Sequence, residues 1–432
     1  MSDPTTFESR LARAIGRYAD LAPMQVDAAA VAGEIASSRR GRTFAGFRLT
    51  PLLIGLLLIA AAAAAAVGSQ LLLPRHIDGV FEQTGPMTEP RSHHVAVALQ
   101  DGRVLIAGGC IAADCGGWHN GRLHGTPLLT AELFDPRLGT FLATGRLVHG
   151  AGIGAPLHDG RVLMLTLAEE LEGFRSYAQI YDPASGQFED LDVSAGSGGT
   201  GAFKNAPALT TRLADRRVLI LENNEGLVPS AENAVIFDPA SGRFEPTKEP
   251  SPIKAPRDAL LLRDGRVLIV GQQFAFAAVF RPDSGAFEEL ATPPSWEQPP
   301  VRVAPLPDGR VLVLANRFDG PTGEPTGIDA AIFDPRTDSF EEIAPVPLSN
   351  VNDAVALRDG RVLILSGVQN VGAVPLPVAA QLYDPATGMY TALPAPLARY
   401  GPSLTLLVDG RVLIAGGDLA TDAATSAAEI LR

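Results

Sequence analysis

"QDGRVLIAGG", residues 100–109, returns almost unchanged as "VDGRVLIAGG" at residues 408–417. The string D-G-R-V-L recurs between them with its aspartate at 159, 215 (as "DRRVL"), 264, 308 and 359. That makes seven copies, at successive spacings of 58, 56, 49, 44, 51 and 50 residues. Self-similarity at such a period marks a repeat architecture, because one short unit cannot bury its apolar faces alone. Asp-Gly between two apolar runs is a tight hairpin signal. The first copy therefore reads as strand A in "HHVAVAL" (93–99), a turn at Asp101-Gly102, and strand B in "RVLIAGG".

A third strand follows six of the copies: "AELFDP" from 131, "AQIYDP" from 178, "AVIFDP" from 234, "AVFRPDSG" from 278, "AIFDPRTDSF" from 331 and "AQLYDP" from 380. Asp-Pro-x-x-Gly then supplies a second turn. Strand D comes next, carrying Phe141, Phe188, Phe244, Phe287, Phe340 or Tyr390. Continuous apolar runs in strands A and B predict burial on both faces, as between radially stacked sheets.

This pattern resembles the kelch-repeat family, the galactose oxidase type of propeller. The resemblance implies an all-β, seven-bladed propeller over residues 79–432, with strand A innermost and a diglycine closing strand B. Only Gly108-Gly109 and Gly416-Gly417 give the full diglycine; Ser366-Gly367 and the lone Gly271 are degenerate forms. The last copy is followed only by a strand C in "AAEILR", whereas "GVFEQTG" (79–85) precedes the first strand A unclaimed. It is expected to serve as the outer strand of the last blade and so to cover a sheet edge.

Residues 50–73, "TPLLIGLLLIAAAAAAAVGSQLLL", carry no charge over 24 positions, enough for a transmembrane helix. The 49 residues ahead of them form a stretch far longer than the charged region of a signal peptide, so the segment reads as an anchor. Arg39, Arg40, Arg42 and Arg48 precede it and Arg75 follows. The positive-inside rule then places the N-terminus in the cytoplasm, with residues 74–78 as a stalk and the repeats outside the cell membrane. Within residues 1–48, Thr5 with Glu8 forms a capping box ahead of Phe7, Leu11, Ala14, Ile15 and Tyr18 on one helical face. Pro23 interrupts, and Asp27 starts a second helix with Val31 and Ile35. This cytoplasmic helical segment is similar to that of transmembrane anti-sigma-like regulators.

Net charge is −13 over the 432 residues, and residues 74–432 hold 28 basic against 43 acidic side chains. A phosphate footprint needs a basic face, so nucleic acid is excluded as a partner.

An arginine opens every strand B: Arg103, Arg161, Arg217, Arg266, Arg310, Arg361 and Arg411. Antiparallel pairing puts the strand-C aspartate opposite it. Five structural ion pairs are expected on that basis, Arg103–Asp135, Arg161–Asp182, Arg217–Asp238, Arg310–Asp334 and Arg361–Asp384. Arg281 and Arg432 occupy the aspartate position in blades 4 and 7, so those two blades are expected to lack the pair or to use a substitute such as Asp283.

The A–B and C–D turns are uniform and share one face, whereas the B–C and D–A connections on the other vary widely. Variable loops on a rigid scaffold are where binding concentrates. The longest, "CIAADCGGWHNGRLHG" (110–125), holds both cysteines of the chain. A Cys110–Cys115 disulfide is the expectation for an exported domain. The competing reading is a metal site of Cys110, Cys115, His119 and His124, with His93, His94 and His149 on the same face, but that spacing matches no standard zinc module. No metal or other cofactor is therefore expected. Trp118, His119, His124, His149, His93 and Tyr400 are the candidate binding-face residues.

Catalysis draws little from the sequence. The copper chemistry that the galactose oxidase resemblance would imply needs two tyrosines, one crosslinked to cysteine. Here Tyr181 and Tyr383 fall in strand C and both cysteines in one loop. "GSGGTG" (196–201) lacks the strand and helix of a dinucleotide site, and "EELEG" (169–173) has no partnered base. The resulting expectation is a single-pass, extracytoplasmic, non-enzymatic module binding a protein or glycan. The alternative is a transmembrane signalling protein whose propeller senses and whose residues 1–48 hold a regulator; a metal-dependent or oxidative enzyme is a weaker third.

Overall fold

Six Asp-Gly-Arg turns and the Asp215-Arg216-Arg217 turn become seven four-stranded antiparallel sheets in the computed structural model. It describes residues 79–432 except 112–117, 120–121, 124–126, 171–172, 192, 194–204, 224–232, 275, 319–324, 368–369, 372–373, 376–377 and 420–422. The cytoplasmic segment 1–48, the span 50–73 and the stalk 74–78 lie outside the described residues. Among the described residues there is no helix, and so none long and apolar enough to cross a membrane.

Strands A to D of blade 1 are Val95–Ala98, Val104–Ala107, Ala131–Asp135 and Thr140–Ala143. The order A-B-C-D holds in every sheet. First strands of successive sheets, among them Ile153–Pro156, Ala206–Arg212, Ile253–Leu261, Pro300–Pro305, Asp353–Ala356 and Ser403–Leu406, contact one another in an unbroken ring. This is a seven-bladed β-propeller with strand A innermost.

Strand B explains the packing. Val104, Leu105, Ile106 and Ala107 are fully buried, and the corresponding runs at 162–165, 218–221, 267–270, 311–314, 362–365 and 412–415 are buried likewise. Each sheet is thus covered on both faces, and the apolar clusters lie between blades: Leu105 packs with Val162 and Met164, and Val412 with Leu363 and Leu365. Towards the rim, strands C and D place aromatic rings directly opposite one another, as in Phe134↔Phe141 and Tyr383↔Tyr390. Six such pairs have ring centroids between 4.7 and 5.1 Å apart. Tilted pairs of this kind add about 0.5–1.5 kcal/mol each beyond the area they bury.

The seventh sheet joins the two ends of the described chain. Its strands A to C are Ser403–Leu406, Val412–Ala415 and Ala428–Leu431, and its outer strand is Phe81–Gln83, registered Phe81↔Leu431 and Gln83↔Glu429. Gly79 N–H donates to the Arg432 carbonyl and Arg432 N–H to that of Val80, at 2.8 and 2.9 Å.

The arginine ladder is organised differently from the sequence expectation, and the five Arg–Asp pairs between strands B and C are corrected. Arg103 bonds Asp101 of its own turn, at 2.6 Å, rather than Asp135. Likewise Arg161 takes Asp159 instead of Asp182, Arg217 takes Asp215 instead of Asp238, Arg310 takes Asp308 instead of Asp334, and Arg361 takes Asp359 instead of Asp384. The physical reason is local. Asp101 Oδ1 already accepts the Arg103 N–H at 2.9 Å, so its other oxygen meets the guanidinium with little further ordering. Each strand-C aspartate is engaged by its own C–D turn: Asp135 accepts Arg137 N–H, Asp182 Ala184 N–H, Asp238 Ala240 N–H, Asp334 Arg336 N–H and Asp384 Ala386 N–H. In blades 4 and 7, Arg266 likewise takes Asp264 of its own turn, and also Asp338, and Arg411 takes Asp409, so Asp283 is not the substitute; Arg281 and Arg432 pair instead with Glu288 and Glu82. Most of these pairs are exposed and contribute between roughly 0 and 1 kcal/mol each; what they fix is turn geometry.

Candidate binding face and channel mouth

The diglycines decide how the loop face begins. Gly108 (φ +67°) and Gly109 (φ +78°) lie in the left-handed region, and a Cβ on Gly109 would stand 2.3 Å from the Ser92 carbonyl oxygen. Glycine there lets the ladder continue by one rung, Ser92↔Cys110; in blade 7 the same device gives Tyr400↔Asp418. Under each rung lies a buried arginine. Arg91 is wholly inaccessible and bonds Glu132 at 2.8 Å and the Gly108 carbonyl at 2.8 Å. Arg399 repeats it with Glu429 at 2.7 Å. Burial holds the Arg399 guanidinium below its usual range, with Glu429 acting in the opposite sense. Carbonyl oxygens bond both guanidiniums, and the Thr88 and Leu397 N–H groups donate to the carboxylates, which helps such deep pairs to be tolerated, although the Nε of each arginine is buried with no hydrogen-bond partner among the described residues.

His94 sits between these two arginines. Its Nε2 meets Ser403 Oγ at 2.8 Å, linking blades 1 and 7 across the inner ring, while Nδ1 is out of solvent with no close hydrogen bond among the described residues. Burial of the ring, with Arg91 and His93 beside it, lowers the imidazole to a pKa of about 3. Neutral His94 is therefore a structural cross-link. A comparable tie on the opposite side is Asp258, which accepts the Val303 N–H of the next blade at 2.9 Å. Burial raises its carboxyl to about 6, against the opposing pull of Arg302. Arg302 in turn bonds Asp353 of blade 6 at 3.2 Å.

Strand A is bulged at the loop face in three consecutive blades. The register shifts between Pro207 and Leu209, between Pro256 and Asp258, and between Pro300 and Arg302. Proline suits this inner edge because it lacks the N–H that an unpaired edge would leave unsatisfied. A bulge bends the strand and re-aims the extra residue; the extra residues are Ala208, Arg257 and Val301. Ala208 and Arg257, with Arg302 next to Val301, border a cavity of about 660 Å³ lined also by His93, His94, Cys110, Ile153, Pro207 and Asn223 among others, all at loop-face ends of strands from blades 1 to 5. A second hollow of about 350 Å³ lies beside blade 5, between Trp296, Phe318 and Glu342.

The sequence candidates divide accordingly. His93 lines the channel mouth, with φ +53° and Nε2 3.6 Å from Asp418. Tyr400 is 42% exposed on the blade 7 rung. His149 stands apart, stacked on Tyr177 at 3.6 Å with Asp190 at 3.7 Å. The backbone of Trp118–His119 pairs with Arg122–Leu123 as a small hairpin rising from blade 1. His124 and Cys115 lie outside the described residues. Cys110 is buried and disulfide-bonded. Among the described residues no three His, Cys, Asp or Glu side chains gather as a metal-ligand set. "GSGGTG" lies outside the described residues, and Glu169 and Glu170 continue strand B of blade 2 in a hairpin with Gly173 and Phe174 rather than forming a loop. Sequence reasoning missed Arg257, Arg302, Asp258 and the arginine–glutamate pairs; for the last, a signal was present in the matching "R…AE" of blades 1 and 7.

No protein-family model matches the chain, and no curated protein matches it. Solved structures do. The extracellular domain assigned to hybrid two component system BT4673 from B. thetaiotaomicron is 12% identical with a TM-score of 0.54, over 81% of this chain and 42% of that one. A catalytically inactive virginiamycin B lyase from Staphylococcus aureus with quinupristin gives 12% and 0.54, over 82% and 99%. The extracellular domain assigned to hybrid two component system BT3049 from B. thetaiotaomicron gives 10% and 0.51, over 82% and 41%. The chain thus spans about two-fifths of those two extracellular domains. At these identities the likeness is one of fold.

Proposed function

We propose that this chain is a membrane-anchored, extracytoplasmic propeller of the kelch type that binds a protein or glycan through its loop-rich face, without catalysis. One observation carries the reading: the two faces differ in kind. On the turn face, uniform turns are stitched to one another, whereas the loop face combines insertions of unequal length, three bulged inner strands and an open cavity of about 660 Å³. The paired diglycines and their buried arginines support the kelch assignment, and the uncharged stretch 50–73 supports the anchor. A second reading, a transmembrane sensor, is favoured by the likeness to extracellular domains assigned to two-component systems and by residues 1–48 on the far side of that stretch.

The test is to present the full-length chain, in detergent, to a glycan array and to cross-linking against an envelope fraction. Binding should fall with Tyr400→Ala and His93→Ala and persist with Arg137→Ala on the turn face; the reverse pattern overturns the reading. Capture of a cytoplasmic partner by residues 1–48 would move the balance to the sensor.

A further inference from the structure

The cavity at the channel mouth is charged in a way the chain as a whole is not. The protein carries −13 at pH 7, yet the ionisable residues lining the cavity are His93, His94, Arg257 and Arg302; no carboxylate is among them, His94 is neutral, and the two arginines supply the fixed positive charge. Of the neighbouring carboxylates, Asp258 spends its two oxygens on the Ala259 and Val303 N–H groups and Asp353 accepts from Ala354 N–H and Arg302, while Asp418 lies 3.6 Å from His93 with its Oδ1 buried and unbonded among the described residues.

Two guanidiniums differ in what they have left to offer. Arg302 is committed through Nε to Asp353 and through Nη1 to the Val301 carbonyl, which leaves Nη2. Arg257 is exposed and makes no hydrogen bond or ion pair with any described residue. It is the extra residue of the blade 4 bulge, so the backbone irregularity itself brings it to the cavity. An unsatisfied planar fork at a cavity wall matches a carboxylate, whose bidentate bonds to arginine are among the stronger charge-assisted contacts. A volume of about 660 Å³ lies within the range of small-molecule sites and far below what a folded domain would need.

We propose that the channel mouth is a binding site for a small carboxylate-bearing ligand, with Arg257 as its principal contact and Arg302 as the second. Uronic acid units of a glycan and free organic acids share this chemistry. The inference rests on the loop-face reading above and names the group that face recognises.

Calorimetric titration of the full-length chain in detergent at low salt tests it, with trigalacturonate, citrate, neutral trigalactose and inorganic phosphate as probes. Trigalacturonate or citrate should bind and trigalactose should not, and added salt should weaken the binding. Trigalacturonate binding alone identifies the glycan source, and citrate alone the free acid. Arg257→Ala should lower affinity about tenfold or more, Arg257→Lys should restore part of it, and the turn-face variant Arg137→Ala should not change it. The melting temperature of Arg257→Ala should stay at the parent value, since the side chain has no bond to lose. Absence of binding by both carboxylates, equal binding by Arg257→Ala, or tighter binding of phosphate overturns the proposal. If the glycan array finds a neutral ligand on the loop face that Arg257→Ala leaves intact, this inference fails while the binding-module reading stands.

Discussion

Arg411 of the seventh blade donates to the carbonyl oxygen of Pro136 in the first, at 2.7 Å and 275 positions apart in the chain. The same contact joins Arg103 of blade 1 to Pro183 of blade 2 at 3.5 Å, and Arg266 of blade 4 to Pro335 of blade 5. The ring is therefore closed on its turn face by a contact it also uses between consecutive blades, while the outer strand at 81–83 closes it through the backbone.

That closure is the first thing to test. Deleting residues 79–85 removes the outer strand and bares the edge of Ala428–Leu431. An unpaired edge recruits another chain, so the deletion should unfold the domain or make it oligomerise. Size-exclusion chromatography with thermal melts checks this; a monomer melting at the parent temperature is incompatible with the closure.

Arg91→Met leaves Glu132, only 1% exposed, without its counter-charge. Loss of one member of a buried pair costs about 3–5 kcal/mol, whereas replacing both is nearly neutral. Denaturant unfolding should show the large loss for Arg91→Met and recovery of most of it for Arg91→Met with Glu132→Leu. Arg399→Met and Glu429→Leu should behave alike.

Asp258 has its folded pKa raised from 3.8 to about 6. The folded state then holds the proton more tightly than the unfolded chain, so this group's contribution is fully present below about pH 4 and is lost as pH rises through about 6. A shift of roughly two units corresponds to on the order of 2–3 kcal/mol. Asp258→Asn removes the titrating group while keeping an oxygen for the Val303 N–H, at the cost of the bond from the Ala259 N–H, and should therefore flatten the fall in denaturant midpoint between about pH 4 and 7; an unchanged slope would contradict the raised carboxyl.

His94 has the opposite sign. Its folded pKa is lowered from 6.5 to about 3, so stability is full above 6.5 and drains away as pH falls towards 3. His94→Gln, which can still bond Ser403, should flatten the acid limb of a stability–pH profile measured by denaturant midpoint. A parent and variant with the same acid slope would contradict a neutral, buried His94.

Thiol titration of the denatured protein should find no free thiol before reduction and two afterwards, since Cys110 is disulfide-bonded and the chain has 2 cysteines. Closing so short a loop is worth about 2 kcal/mol. Cys110→Ser should cost about that much in a chemical melt.

Blade number and strand order were legible because they rest on what a repeat cannot hide: the Asp-Gly turn, the four apolar residues after it and the Asp-Pro turn. Side-chain partners were not legible at the same level. Register does set Arg103 opposite Asp135, but register fixes Cα positions, and a long flexible side chain goes to the acceptor that is nearest and free, here Asp101. The channel mouth was harder still. Pro207, Pro256 and Pro300 read as turn or edge signals in the sequence, and only pairing with strand B reveals that each starts a bulge in an innermost strand. Arg257 gains its meaning from that irregularity.

The outer strand of the seventh blade has a mechanical consequence. Tension arriving along the chain at Gly79 meets a three-residue strand and the hydrogen bonds to Arg432 before it reaches any other blade. Rupture there opens the ring at one seam while the other six sheets, each formed from one continuous stretch of chain, keep all four of their strands. Under load the protein yields first at the join between its two ends, and the blade that completes the circle is also its mechanical fuse.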